Sequence, residues 1–313
     1  MRKLLFVALI ALSSCATTKK ETAFNAEGKL LKDIETLSSD EFEGRRTGTK
    51  GAELARNYIL NRFNEIGLQK LDGKSSFIED FSFTRRNSTT PIEGKNIVGM
   101  IKGSTNKAIV ITAHYDHIGI NNNEIFNGAD DNASGVGALL HIASYYAKNK
   151  PKHTLVFVAF DAEEMGLQGA HAFVKAPTIP LEDIRMNINM DMISNNDKGE
   201  IYAVGTFKYP ELKPLITSNN PELKILFGHD DPKQGRDDWT NQSDQGAFNS
   251  KNIPFIYFGV EDHAHYHKAT DEFKTINQKF YINASNAILN VVKNLDKALA
   301  VDQSALKSKL IMK

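Results

Sequence analysis

Histidine and carboxylate side chains follow four apolar runs of this sequence. AHYDH (residues 113–117) comes directly after AIVIT, and DAEEMGLQGA (161–170) comes directly after TLVFVAF. MDMIS (190–194) follows MNIN, and EDHAHYH (261–267) follows PFIYFGV. A fifth cluster, NGADDNASG (127–135), leads directly into a helical pattern. Each cluster taken alone is compatible with a turn or a helix cap, and Asp131 could simply lie near the N-cap of the following helix.

The residue types in these clusters indicate metal chemistry. Imidazole and carboxylate groups suit zinc, particularly in sites that leave one coordination position free for water. A structural zinc site would favour cysteine thiolates, but the only cysteine of the chain is Cys15. That single cysteine also excludes an intrachain disulfide and a cysteine nucleophile in the body of the protein. The clusters therefore predict a metal site of the kind that keeps a coordination position for water.

The elements that must position these groups follow an α/β pattern. Short apolar runs alternate with helical patterns from Leu30 onward, and no linker divides them. We therefore expect one domain, a three-layer sandwich with a mixed, mostly parallel central sheet. Ligands of such sheets bind at the carboxyl ends of the strands, where the polar clusters should meet. The predicted helices include 51–67, 133–149 and 282–300, and the predicted strands are FIEDFSF, NIVGMI, AIVITAH, TLVFVAF, MNINMDM, EIYAV and PFIYFGV.

The N-terminus has the features of an export signal. Arg2 and Lys3 precede LLFVALIAL, which is too short to span a bilayer but suits the core of a signal peptide. The next residues, Leu12 to Cys15, resemble a bacterial lipobox, in which the cysteine is lipidated; the alternative is an ordinary secretory signal with a chance cysteine. The predicted organisation is a signal peptide (1–15), a flexible tether (16–28), a folded α/β domain (29–300) and a C-terminal tail (301–313). We expect an exported protein, lipid-anchored to the outer membrane or the cell surface.

The overall charge gives no indication of a strongly charged partner. Lysine plus arginine and aspartate plus glutamate number 38 each, so the formal net charge is +0. Nothing in this balance favours nucleic acid or an anionic surface as a partner. We therefore expect contact with a membrane through the N-terminal lipid alone.

The ordered set AHYDH, GADDNASG, FDAEEMGLQGA, NMDMIS and YHKATD resembles the M28 family of zinc metallopeptidases. The resemblance extends from about residue 30 to about residue 300. It implies the α/β fold of the zinc exopeptidases and two zinc ions per chain. It further implies peptide substrates and aminopeptidase activity.

The resemblance also implies roles for individual residues. His114 and Asp191 match ligands of the first zinc, Glu164 and His267 match ligands of the second, and Asp131 matches the carboxylate that bridges both. Glu163 matches the general base. Asp116 resembles the carboxylate that orients His114.

The charges of these residues agree with this interpretation. Two zinc ions bring four positive charges against the three carboxylates of Asp131, Glu164 and Asp191, so a bridging hydroxide would leave the group near neutral. The two adjacent glutamates would then have different roles: Glu164 binds metal, and Glu163 moves a proton from water to the leaving amine. Neighbours in an extended segment point to opposite sides, so this pair must lie where a strand becomes a loop, which Gly166 and Gly169 permit.

Several aromatic and histidine positions leave alternatives open. His117 is expected to pack near the site rather than to bind zinc. In HAHYH, His263, His265 and His267 would share a face of an extended segment, and His267 is preferred because Tyr266 and KATD match the family pattern. Tyr266 either donates a hydrogen bond to the developing oxyanion or serves as a packing residue.

The segment QSDQGAF (242–248) resembles the Ser-Asp element that lies beside the substrate pocket in this family. Ser243, Asp244 and Phe248 are therefore candidate substrate-binding residues. Gln245 replaces a more usual histidine, and Gln242 stands where some aminopeptidases carry an arginine. Trp239 and Phe248 are candidates for a side-chain pocket, and a core or lid position is the alternative for both.

The sequence therefore predicts a zinc-dependent exopeptidase, most simply an aminopeptidase acting on peptides outside the cytoplasm. One alternative is a glutaminyl-peptide cyclase, which uses one zinc and commonly carries tryptophan before the last histidine, where this chain has Tyr266. The other is a metal-free binding lipoprotein with the same fold. Every ligand position is filled, which argues against the second alternative.

Overall fold

The computed structural model describes residues 26–86 and 88–301 of the chain. Within these residues the helices are α1 (26–37), α2 (Lys50–Ile66), α3 (Gly135–Tyr146), α4 (Gln168–Lys175), α5 (Gln245–Asn249) and α6 (Gln278–Val301). The strands are β1 (Ile78–Phe83), β2 (Ile92–Ile101), β3 (Thr105–His114), β4 (Gly119–Asn121), β5 (Glu124–Phe126), β6 (His153–Phe160), β7 (Ile184–Met190), β8 (Glu200–Val204), β9 (Lys224–Phe227) and β10 (Phe255–Gly259).

One mixed sheet organises the domain. Its strands lie in the order β1-β2-β6-β3-β7-β10-β8-β9, and β4 pairs with β5 in a separate hairpin. The central neighbours β6, β3, β7 and β10 run parallel to one another. Strands β2 and β8 join this group in the antiparallel direction. The carboxyl ends of the four central strands therefore share one edge of the sheet, as the sequence predicts.

Both faces of the sheet are covered, because the central strands are apolar on both sides. On β6, Leu155 and Phe157 pack into a core with helices α1, α2, α3 and α6. The intervening Val156 and Val158 pack into a second core with α4 and α5. Alternation along a strand sends successive side chains to opposite faces, so a run that is apolar throughout needs a helical layer on each side. The predicted three-layer α/β sandwich is confirmed.

The seven strands predicted from the sequence are confirmed as β1, β2, β3, β6, β7, β8 and β10. The prediction missed β9 and the β4–β5 hairpin, which are short and lie at an edge or outside the main sheet. Helix α2 ends as predicted, with Gly67 in the left-handed conformation (φ 84°) and its N–H bonded to the carbonyls of Phe63 and Asn64.

The predicted signal peptide and the lipidation site Cys15 lie outside the described residues. So do most of the predicted tether and tail. Residues 26–28, which the sequence assigned to the tether, are helical, so the folded domain begins earlier than predicted. Among the described residues, no helix combines the length and the apolar character that crossing a membrane would require.

Candidate metal centre

The ends of β3 and β7 and the turn before α3 bring three predicted ligands together. His114 is the last residue of β3, and Asp191 follows the last residue of β7. The Nε2 atom of His114 lies 3.3 Å from Oδ1 of Asp191 and 3.5 Å from Oδ1 of Asp131. All three side chains are buried. These residues form the first donor group, which can hold one divalent cation.

A second donor group lies on the other side of Asp131. The Nε2 atom of His267 lies 3.1 Å from Oδ2 of Asp131 and 3.5 Å from Oε2 of Glu164. The Nδ1 atom of His117 lies 2.7 Å from Oε1 of Glu164 and 3.7 Å from Oδ2 of Asp131. Asp131 thus presents one carboxylate oxygen to each group. The structure brings together the five predicted metal ligands and adds His117, which the sequence placed near the site but not as a ligand.

The loop after β6 presents Glu163 and Glu164 to the centre. The strand ends at Phe160, and Ala162 (φ 60°) and Gly166 (φ 93°) adopt left-handed conformations that turn the chain back. Asp161 anchors this turn, because its carboxylate accepts hydrogen bonds from the Ala162 and Lys95 amides and from the hydroxyls of Thr47 and Tyr115. These four donor–acceptor distances are 2.7–2.9 Å. The glutamates therefore lie at the strand-to-loop junction, where the sequence predicted them.

Asp116 has a different set of contacts from the one predicted. The Nδ1 atom of His114 lies 3.1 Å from the main-chain oxygen of Asp116 and 3.7 Å from its carboxylate. The carboxylate instead accepts hydrogen bonds from the backbone amides of Glu163 (3.0 Å) and Glu164 (3.3 Å). Asp116 therefore orients His114 mainly through its carbonyl, and its side chain fixes the backbone of the two glutamates.

Arg45, which sequence reasoning missed, ties the ligand-bearing loops together. Its side chain is buried, and its guanidinium donates to the main-chain carbonyls of Tyr115, Asn127 and Gly128 at 2.6–2.9 Å, and to that of Leu37 at 2.7 Å. Tyr115 is next to His114, and Gly128 begins the turn that carries Asp131. The sequence offered little signal for this role. EGRRTG contains two adjacent arginines, Arg45 and Arg46, and nothing in the segment distinguishes the buried one from its neighbour. The cation is also close enough to the carboxylates of the centre to stabilise their charge.

A brace of acidic residues fixes the turn that carries Asp131. Asp271 accepts hydrogen bonds from the amides of Asp130 (2.9 Å) and Asp131 (3.0 Å). Asp130 accepts from the amide and hydroxyl of Ser194, and its other carboxylate oxygen lies 2.8 Å from Nε2 of His263. The loop of residues 261–271 is thereby joined to the turn of Asp131.

This brace separates the three histidines of HAHYH. His263 binds Asp130, while the Nδ1 atom of His265 lies 3.0 Å from the Thr270 hydroxyl, away from the donor groups. His267 alone of the three reaches Asp131 and Glu164. Tyr266 stacks on the His267 ring with a centroid distance of 4.0 Å, and its side chain is only partly buried.

The candidate substrate residues lie in different environments. Asp244 is buried beside the first donor group, and neither of its carboxylate oxygens has a hydrogen-bond partner among the described residues. Ser243 is buried, and its hydroxyl accepts a hydrogen bond from Asn189 at 3.0 Å. Phe248 lies in the second core, with its ring 6.3 Å from Phe160 and 5.9 Å from Phe173. Of the positions that the sequence left open for Phe248, the pocket and the core, the structure shows the core position.

The substitutions noted in the Ser-Asp element also have structural roles. Gln245 is buried, accepts a hydrogen bond from Asn189 and donates one to the carbonyl of Trp239. Gln242 is exposed and donates to the carbonyls of Arg236 and Asp238. Trp239 stacks on the His229 ring at 3.8 Å and is partly buried. Neither glutamine occupies the space between the two donor groups.

The pKa values reflect crowded negative charge at the centre. Burial raises the pKa of Glu163 well above its usual range, and it also raises the pKa values of Glu164 and Asp116. For Asp191, burial is outweighed by the attraction of His114, and its pKa falls. Carboxylates and imidazoles gathered in this way are a donor set that fits zinc, since a cation would offset the charge.

The chain is similar to known metallopeptidases. The family model described as Peptidase family M28 matches residues 96–292. A probable zinc metalloprotease of Pyrenophora tritici-repentis is 29% identical over 184 residues, which cover 55% of this chain and 42% of that protein. The matches span from 14% to 57% of the length of the curated relatives.

Solved structures with the same fold include two kinds of enzyme. A glutaminyl cyclase of Porphyromonas gingivalis superposes with a TM-score of 0.70 at 16% identity, covering 85% of this chain and 97% of that one. A leucine aminopeptidase precursor of Bacteroides thetaiotaomicron superposes with a TM-score of 0.67 at 18% identity, covering 86% of this chain and 97% of that one. At these identities the likeness establishes the fold alone.

We predict that Arg45→Met destabilises the protein by about 4 kcal/mol or more, since it leaves several buried carbonyls without a donor. The measurement is urea denaturation followed by circular dichroism. Arg46→Met is the matched control: Arg46 donates to a single carbonyl, that of Ile118 at 3.1 Å, so its loss should cost about 1 kcal/mol. Equal destabilisation by the two substitutions would show that Arg45 does not hold the loops.

A second prediction concerns pH in the metal-free protein. Burial raises the pKa of Asp244 to about 7, from an ordinary value of 3.8. An acid whose pKa is raised in the folded state contributes its full stability at pH values below the pKa of the unfolded state. This stability is lost as the pH rises through the pKa of the folded state. The wild type should therefore lose stability between pH 4 and pH 7 relative to the Asp244→Asn variant, which has no acid at this position. The difference between their free energies of unfolding should rise over this range by about a few kcal/mol.

Chemical denaturation at several pH values in the presence of chelator measures this difference. With zinc added, the difference should shrink, because a nearby cation stabilises the Asp244 carboxylate. A metal-free difference that does not vary with pH would contradict the burial of an ionisable Asp244.

Proposed function

Because the chain belongs to peptidase family M28, a family of zinc metallopeptidases, we propose that it is a two-zinc exopeptidase that removes N-terminal residues from peptides. One observation carries this proposal. The carboxylate of Asp131 offers one oxygen to each of two donor groups, with His114 Nε2 at 3.5 Å on one side and His267 Nε2 at 3.1 Å on the other. A carboxylate shared in this way suits a pair of divalent cations.

The residues of the two groups would hold one zinc ion each. His114, Asp131 and Asp191 would hold the first, and Asp131, Glu164 and His267 would hold the second. Zinc bound at such a site supplies Lewis acidity, which lowers the pKa of water and polarises a carbonyl group.

Glu163 is the proposed general base. Burial raises the pKa of its carboxyl, and the attraction of His114 opposes this effect. A carboxylate with a raised pKa accepts a proton from water more readily and can return it to the leaving amine. Asp116 and the turn after β6 fix the backbone of Glu163, so the carboxylate approaches the centre from a defined direction.

Tyr266 is the proposed donor to the oxyanion of the tetrahedral intermediate. Its ring lies against His267, so the hydroxyl is carried by the same loop as a ligand of the centre. Burial and the neighbouring carboxylates raise the pKa of Tyr266 above its ordinary range, which keeps the hydroxyl protonated as a donor.

An aminopeptidase must also attract the free amine of its substrate. Asp244 adds a buried carboxylate beside the first donor group, and within the described part of the chain nothing hydrogen-bonds to its oxygens. Once Asp131, Asp191, Glu163 and Glu164 are offset by two zinc ions, this further negative charge favours a protonated amine over a peptide carboxylate. The charge balance therefore supports action at the N-terminus of peptides.

We further propose that the protein acts outside the cytoplasm, anchored by a lipid on Cys15. The support is the sequence Arg2-Lys3, the apolar core Leu4 to Leu12 and the lipobox-like residues before Cys15. The single cysteine agrees with this role, because a folded body without thiols depends on no disulfide after export.

Zinc content and product analysis test the proposed reaction. The purified wild type should bind two zinc ions per chain, release an amino acid from leucine anilide or a dipeptide, and lose this activity with a chelator. One zinc per chain with formation of pyroglutamate from an N-terminal glutamine would instead favour a glutaminyl cyclase, the enzyme class of one fold neighbour. Absence of bound metal would favour a binding protein.

Glu163→Gln should abolish turnover while leaving zinc content unchanged, since the amide cannot accept the proton and does not bind either ion. Zinc analysis and kcat of the same preparation are measured together. We expect kcat to fall by about a hundredfold to ten-thousandfold, the usual contribution of a positioned acid–base group. A kcat near that of the wild type would assign the base to another residue.

A further inference from the structure

His117 occupies a position within the second donor group. Its side chain is fully buried, and its Nδ1 atom lies 2.7 Å from Oε1 of Glu164 and 3.7 Å from Oδ2 of Asp131. His267 approaches the same two carboxylates from another direction, with Nε2 at 3.1 Å from Asp131 and 3.5 Å from Glu164. The ring centroids of the two histidines are 6.0 Å apart. Two imidazole nitrogens thus point at one carboxylate pair.

These separations are close to those between ligands of one ion. Zinc binds nitrogen and oxygen at about 2.0–2.1 Å, so adjacent ligand atoms of a tetrahedral site are about 3.3–3.4 Å apart. His117 Nδ1 and His267 Nε2 lie 3.7 and 3.1 Å from the same oxygen of Asp131, Oδ2. They approach different oxygens of Glu164, with His117 at 2.7 Å from Oε1 and His267 at 3.5 Å from Oε2. His117, Asp131 and Glu164 together offer one ligand atom each within reach of a common ion.

The His117 ring is fixed in this orientation by its surroundings. A Cβ atom on Gly128 would lie 2.5 Å from Cδ2 of His117, so the ring fits only because residue 128 is glycine. The carbonyl of Gly128 is in turn held by Arg45 at 2.9 Å. A ring packed against a braced backbone is preorganised, and little rotamer entropy is lost when it binds an ion.

We propose that His117 is a fourth protein ligand of the second zinc, so that the two zinc sites are unequal. This inference rests on the proposed two-zinc function. The first site has three protein ligands, His114, Asp131 and Asp191, which leave a coordination position open. The second site has four, as in closed structural zinc sites. The second ion is therefore held tightly and for long times, while the first is the more exchangeable and more accessible to substrate.

The alternative arrangement is that Nδ1–H of His117 only donates a hydrogen bond to Glu164. A pair of substitutions separates the two arrangements. His117→Ala removes both a ligand and a donor, whereas the amide of His117→Asn can still donate to Glu164 but is a poor zinc ligand. His265→Ala is the matched control, because His265 is a neighbouring histidine whose side chain contacts Thr270.

The experiment measures zinc dissociation constants by competition with a chromophoric chelator, with metal content read by emission spectroscopy. Circular dichroism of the metal-free proteins checks that each variant folds. We expect two unequal constants for the wild type and for His265→Ala. In both His117 variants the tighter constant should weaken by roughly a hundredfold or more, since even outer partners of a ligand cost 10- to 100-fold.

Retention of tight zinc binding by His117→Asn would overturn the proposal and leave His117 as a hydrogen-bond donor. The zinc content of the wild type tests the two-zinc function separately from the role of His117. Wild type that binds one zinc, lost in both variants, would overturn the two-zinc function but support His117 as a ligand. Wild type that binds no zinc would overturn both.

Discussion

Negative charge concentrated at one edge of a buried sheet is the constraint on which the rest of this structure depends. The central strands end in carboxylates that burial makes costly to ionise, and the fold offsets this cost with fixed dipoles and one nearby guanidinium. Asp116, Asp161 and Asp271 each accept backbone amides of the loops that carry the ligands. The hydrogen bonds that stabilise these charges therefore also set the positions of the ligand side chains.

The fold could be predicted to a large extent because its dominant signal is local. AIVIT and TLVFVAF are apolar at every position, so they require a covered, largely parallel sheet, and parallel strands bring their carboxyl ends together. Strand β9 could not be found in this way, since KILF is four residues long and lies at the sheet edge. Residues 26–28 were assigned to a tether because their composition is polar, but packing of Leu30 and Ile34 in the core extends α1 through them.

The candidate site could be predicted only for residues whose chemical type limits their use. Histidines and carboxylates at strand ends indicate a metal, and the family resemblance orders them. Arg45 holds the ligand-bearing loops through three carbonyl partners that are 70 to 83 residues away along the chain, and carbonyls carry no sequence signal. The same reasoning explains Phe248, because its place in the core depends on Phe160 and Phe173 and not on its own segment. His117 combines the two cases. A histidine can bind zinc, but the orientation of this ring depends on its packing against Gly128, which the sequence around His117 does not reveal.

The way the loops are joined links metal binding to the presentation of Tyr266. Asp271 and His263 hold the loop of residues 261–271 against the amides and carboxylate of the turn that carries Asp131. This loop also carries His267 and the stacked Tyr266. A cation between Asp131 and His267 would tie the same two segments together a second time, because its ligands come from both. Binding of the second ion and correct placement of the Tyr266 hydroxyl are therefore coupled, and the ion that is held most firmly would also be the one that orders the proposed oxyanion donor.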